Sequence, residues 1–148
     1  MISSYTGLRP VQTLVPILGN TTAEGTGVAV DRQGFQDALM IAEVGISADT
    51  LSGALYWTIA FQESDTTTAG EFTNIAAADL EGGVNDHVIN AAAEDPTTIV
   101  RGYRGTKRYL RILFTQTGTH TNGTPISGII ILGRPSYIPI TPVTELGG

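Results

Sequence analysis

The chain has 148 residues and a mass of 15.6 kDa, carries a net charge of −6 with only 15% charged side chains, and contains no cysteine. That length suits one domain burying roughly 70% of the surface of its unfolded chain, so metals and disulfides are not needed for stability. Thiolate catalysis and cysteine-ligated zinc are excluded, a single lysine (Lys107) on an acidic chain argues against nucleic-acid binding, and the apolar run 129–132 is far short of the roughly 20 residues of a membrane helix.

Residues 1–22 set Leu8, Val11, Leu14, Val15, Ile17 and Leu18 beside Pro10 and Pro16. Proline has no amide to donate, which predicts an edge strand or an extended arm. The first basic residue is Arg9, so no cationic region precedes an apolar stretch and no secretory signal is expected. Strand candidates follow at 27–31 and 36–44. The next is the clearest, because Leu55, Trp57, Ile59 and Phe61 alternate with Tyr56, Thr58, Ala60 and Gln62. Shorter candidates cover 71–75, 87–91 and 98–103, with one helical turn near 76–80.

The segment 107–116 again alternates, placing Leu110, Ile112 and Phe114 on one face and Tyr109, Arg111, Leu113 and Thr115 on the other. Asn122-Gly123 predicts a tight turn of positive φ within a long 117–125 connection, ahead of a last strand at 127–132. The tail carries Pro139 and Pro142 among Tyr137, Ile138, Ile140 and Val143. These signals predict an all-β antiparallel sandwich of jelly-roll type over residues 23–135, flanked by extended ends at 1–22 and 136–148. Trp57, Phe61, Leu110, Ile112 and Phe114 are its expected core.

Chemistry-bearing motifs are sparse. There is no Gly-x-Ser-x-Gly elbow, and the histidines, His87 and His120, stand in polar or turn-like contexts without partners at metal-ligand spacing. The carboxylates of Glu63, Asp65, Asp79, Glu81, Glu94 and Asp95 match neither a glycosidase pair nor a calcium loop. Segment 62–70 reads as a solvated loop. The Gly82-Gly83 and Gly25-Thr26-Gly27 stretches lack the strand-to-helix setting of a phosphate cradle and read as turns. Asn20-Thr21-Thr22 and Asn122-Gly123-Thr124 match the glycosylation acceptor pattern, one that arises easily in a Thr-rich chain. No enzyme, cofactor or metal is expected.

One feature does concentrate charge. Five of the eight basic residues, Arg101, Arg104, Lys107, Arg108 and Arg111, fall within eleven positions. With Tyr109 they predict a basic docking ridge, because guanidinium and aromatic groups are favoured interface anchors. Leu8, Pro10, Tyr137 and Ile138 on the two ends are the expected apolar contacts.

The motifs Tyr5-Thr6-Gly7-Leu8-Arg9-Pro10, Val30-Asp31-Arg32-Gln33-Gly34-Phe35, Phe61-Gln62-Glu63-Ser64-Asp65, Gly102 to Arg111, and Leu132-Gly133-Arg134-Pro135 occur in that order. Together they resemble proteins from the structural gene blocks of tailed bacteriophages. The resemblance implies a small β-sandwich decoration, or cement, protein on the outside of the head shell, made in the host cytoplasm. It would bind the major capsid protein and itself, as a homotrimer, and neither nucleic acid nor membrane. Tail and head-to-tail connector components share these traits. The pattern around residues 62–72 and 107–112 is also similar to discoidin-like carbohydrate-binding jelly rolls, which display aromatic side chains on loops.

Overall fold

A computed structural model describes residues 7–137. Ten strands appear in chain order: β1 (Leu8–Gly19), β2 (Val30–Asp31), β3 (Phe35–Val44), β4 (Tyr56–Ser64), β5 (Thr73–Asn74), β6 (Leu80–Glu81), β7 (His87–Ile89), β8 (Thr97–Tyr103), β9 (Tyr109–Thr117) and β10 (Thr124–Pro135). All pairings are antiparallel and form two five-stranded sheets packed as a sandwich. The first runs β1-β10-β3-β8-β6. The second runs β2-β9-β4-β5, with β7 also pairing β4. From β1 to Tyr137 helical structure is confined to two 3-10 turns, Ala69–Glu71 and Ala77–Asp79.

Period-two alternation explains the core. Trp57, Ile59 and Phe61 of β4 and Leu110, Ile112 and Phe114 of β9 are all fully enclosed between the sheets. From the other side come Met40 and Ala42 of β3, Ile99 of β8, and Ile126, Ile130 and Leu132 of β10. Full burial of such side chains contributes roughly 1.5–3 kcal/mol apiece, so these two inward faces dominate the stability of the fold.

Of the two forms expected for the first segment, residues 8–19 take the edge strand, paired to β10 along its length with register shifts on either side of Leu14. An edge position tolerates Pro10 and Pro16, since an edge strand needs amide donors on one side only. The expected strand 27–31 shrinks to two residues because the chain before it lies tightly against β9. There the Gly27 amide bonds Ile112 O at 2.9 Å, and a Cβ on Gly27 would stand 2.4 Å from Thr13 Oγ1. Gly27 is thus a close-approach position, not a turn.

The last strand is twelve residues instead of six, because β10 finds partners on both sides, β1 and β3. Gly123 does take a positive φ of 84°, but no hairpin forms around it. β9 and β10 belong to different sheets, and the 118–123 connection crosses between them. Asp49 organises that crossing by accepting the amides of Thr121, Asn122 and Gly123. Burial pushes the Asp49 carboxyl up, and these donors outweigh it, leaving the carboxyl below its ordinary range.

Candidate protein interface

β8, β9 and the connection between them carry the five clustered cations, and the sandwich splits them. Arg101 belongs to the first sheet and Arg111 to the second, and both side chains are buried rather than displayed. The Arg101 guanidinium lies 5.8 Å from the centre of the Phe61 ring. It donates to the carbonyls of Val84, Gly82 and Val100 at 3.1, 3.0 and 2.9 Å. Arg111 donates to Gln62 Oε1 at 2.8 Å and stacks 4.2 Å from the Phe72 ring, which the loop after β4 folds over it. Burial pushes both guanidinium pKa values down, though arginine stays charged at any physiological pH. The expected five-residue ridge is therefore corrected: these two are internal pins.

Arg104, Lys107 and Arg108 remain on the surface, each facing a carboxylate: Glu81, Asp65 at 2.5 Å, and Asp31 at 2.7 Å. Tyr109 is half-buried, with the Arg108 guanidinium 5.1 Å from its ring. Leu8 and Pro10 are exposed on the edge strand, and Tyr137, at 86% exposure, ends the described chain. Ile138 lies outside the described residues.

The register brings further cations to the same end of the molecule. Arg32 donates to Lys107 O at 2.5 Å and Gly105 O at 2.9 Å, and its guanidinium sits 5.0 Å from the centre of the Tyr103 ring. Arg134 faces Asp37 at 3.4 Å, and Arg9 lies close enough to Asp31 to lower its pKa. All eight basic residues thus lie in the half of the sandwich where β3 and β9 begin and β4, β8 and β10 end. The opposite loops carry Glu24, Asp49, Glu94 and Asp95 and no Lys or Arg. Arg9, Arg32 and Arg134 were missed from the sequence because each stands alone there, at least 20 residues from the next basic residue.

The pole is built on a firm base. Tyr103 donates to Glu63 Oε2 at 2.5 Å and accepts the Lys107 amide at 2.9 Å, fixing the loop that presents the exposed cations. Burial, reinforced by Glu63, pushes the Tyr103 hydroxyl well above its ordinary pKa and keeps it neutral. Asp65 raises Lys107, and Asp31 raises Arg108.

The Arg108 fork in turn lowers Asp31, against an opposing effect of burial and with help from the Gln33 amide. A carboxyl lowered in the folded state contributes stability above its unfolded pKa of about 3.9, and that contribution disappears as pH falls through the folded value. Asp31→Asn is therefore expected to lower stability at pH 7, where the contribution is fully present, and to converge on the parent as pH falls below about 4. Urea melts across that range check this.

A second surface was not anticipated. On the outer face of the first sheet, Ile131 and Leu39 form one apolar row, and Ile129, Ile41 and Val100 form the next. The only advance sign was the unbroken run 129–132, since a strand apolar at consecutive positions has no polar side to give to water. Trp57, by contrast, is fully buried, so it is not a loop-displayed aromatic. Among the described residues no three His, Cys, Asp or Glu side chains converge as metal ligands would. No protein-family model matches the chain, and no curated protein matches it.

Proposed function

We propose that this chain is a non-catalytic adhesion subunit, a decoration protein of a tailed-phage head that docks on the outer shell and bridges major capsid proteins. The observation that carries this reading is the polarity of the molecule: every basic residue lies in one half of a protein of net charge −6. Asp31, Asp37, Glu63, Asp65 and Glu81 share that half and offset much of its charge, so the remaining asymmetry turns this end, rather than the acid-only opposite loops, toward an acidic surface. On arrival, Arg104, Lys107 and Arg108 exchange their solvent-exposed partners for carboxylates of the shell. Exposed pairs are weak in themselves, so exchange costs little. Repetition over many copies, each touching more than one shell subunit, turns modest contacts into resistance to internal pressure. The motif order described above supports a tailed-phage virion as the setting.

Particles complemented with a chain carrying Arg104→Ser, Lys107→Ser and Arg108→Ser should lose most of their decoration, while the purified variant melts within a few degrees of the parent. Densitometry against the major shell protein measures the occupancy. Unchanged occupancy would remove the pole as the contact. A handful of copies per wild-type particle, rather than hundreds, would point to a tail or connector component instead.

A further inference from the structure

The loop that crosses from β9 to β10 holds the chain's one asparagine-glycine step. Of Asn20, Asn74, Asn85, Asn90 and Asn122, only Asn122 is followed by glycine. Such a step is among the least durable in water, because glycine puts no side chain in the way when its own nitrogen attacks the side-chain carbonyl carbon of the asparagine before it. Gly123 takes a positive φ of 84°, and Asn122 is exposed to the water that completes the reaction.

Both reacting groups are nevertheless held by one carboxylate. Asp49 Oδ2 accepts the Gly123 amide at 2.9 Å, and Asp49 Oδ1 accepts the backbone and side-chain amides of Asn122, each at 3.0 Å. The Asp49 side chain is only 7% exposed, so its charge is little screened. Attack requires the Gly123 nitrogen to shed its proton, and the resulting anion would stand beside a fixed negative charge. Even at the dielectric of water, like charges 2.9 Å apart make that anion about tenfold rarer. A carboxylate can also act as a base toward an N–H that it accepts. Asp49 is a poor base, since its donors hold the carboxyl below its ordinary range.

We propose that Asn122-Gly123 is a self-modification site that Asp49 keeps closed. When Asp49 lets go, Gly123 N bonds to Asn122 Cγ, the Cγ–Nδ2 bond breaks, and the Gly123 proton leaves with Nδ2 as ammonia. Water then opens the succinimide ring at either carbonyl, giving aspartate or isoaspartate at this position. Either product sets a second carboxylate where Asp49 had a donor. Isoaspartate also lengthens the backbone next to Gly123, where even a Cβ would stand 2.5 Å from Asn20 Oδ1. The lesion therefore loosens the crossing beside which Trp57 and His120 pack.

Peptide mass spectrometry of the full chain aged at mildly alkaline pH tests this, with deamidation and isoaspartate at Asn122 as the readout. The parent should modify at least about tenfold more slowly when native than in urea, and Asp49→Asn about tenfold faster than the native parent while matching it in urea. Ser47→Ala is the control. It removes the hydroxyl that accepts the Asp49 amide at 3.2 Å and leaves the carboxylate, so its rate should stay near the parent's. Asp49→Asn at the parent's rate or slower, Ser47→Ala as fast as Asp49→Asn, or equal native and urea rates in the parent would each overturn the proposal. If thermal melts show that Asp49→Asn does not fold, hydrogen exchange of the Gly123 amide in the parent decides, because base-catalysed exchange passes through the same anion. Strong protection is expected, and exchange at the rate of an open amide overturns the proposal.

Discussion

Trp57→Ala is expected to destabilise the protein by about 3–5 kcal/mol, the range found when a buried large aromatic is truncated in a packed core. Trp57 has no solvent exposure, and its neighbours β7 and β9 hold it from both sides within the sheet. Its effect also reaches the crossing between the sheets. The indole Nε1 donates to Thr124 Oγ1 at 3.0 Å, the first residue of β10, and that oxygen is 2.8 Å from Ser47 Oγ. The His120 ring, also buried, lies 4.7 Å from the indole and 3.7 Å from the Asp49 carboxylate. Removing the indole therefore opens a cavity and leaves Thr124 and His120 without their packing partner. Trp57→Phe keeps part of the volume and loses the donor, so it should fall between Ala and the parent. Equilibrium urea unfolding measures both, and a loss below about 1 kcal/mol for Ala would contradict a close-packed site here.

Arg101→Ala is expected to have the second largest effect, and it separates two arginines only three residues apart. Truncation leaves the carbonyls of Gly82, Val84 and Val100 without their shared donor. These hydrogen bonds are only partly buried, so each contributes about 0.5–1.5 kcal/mol, and the lost cover over Phe61 adds to that. Lysine does not rescue it, because a single ammonium cannot reproduce the planar fork that reaches three acceptors. Arg104→Ala, in contrast, removes an exposed side chain and should change stability by no more than about 0.5 kcal/mol. Equal effects at the two positions would mean that Arg101 is not an internal pin. The contrast also matters for shell binding: loss of attachment on changing Arg101 would reflect unfolding, whereas loss on changing Arg104 reports contact.

The legible part of this protein was the part written in short-range alternation. Leu55 to Phe61 and Leu110 to Phe114 declare one buried face each, and all of the expected core residues are fully enclosed. The basic cluster was legible as composition but not as geometry. Alternation on 98–103 and 107–116 says that Arg101 and Arg111 sit on strands, yet not that one strand leads into each sheet, nor that Phe72 returns to cover the second. Loop 118–123 misled for a related reason. Asn122-Gly123 is a good local turn signal, but whether a turn joins paired strands or crosses a sandwich depends on partners far away in sequence, here Asp49.

By itself, then, the sequence determined an all-β chain with a defined aromatic and aliphatic core and no built-in nucleophile of recognised pattern, because backbone pleat and turn chemistry act over a few neighbouring residues. Only the tertiary structure decided that β1 pairs as an edge, that two of five clustered cations are buried, Arg101 between the sheets and Arg111 beneath Phe72, and that isolated Arg9, Arg32 and Arg134 join the others at one pole. It alone also left Leu39, Ile41, Val100, Ile129 and Ile131 side by side on an outer face. The physical reason is strand register. Pairings between residues some 50 to 100 positions apart set which side chains become neighbours, and no local pattern carries that information.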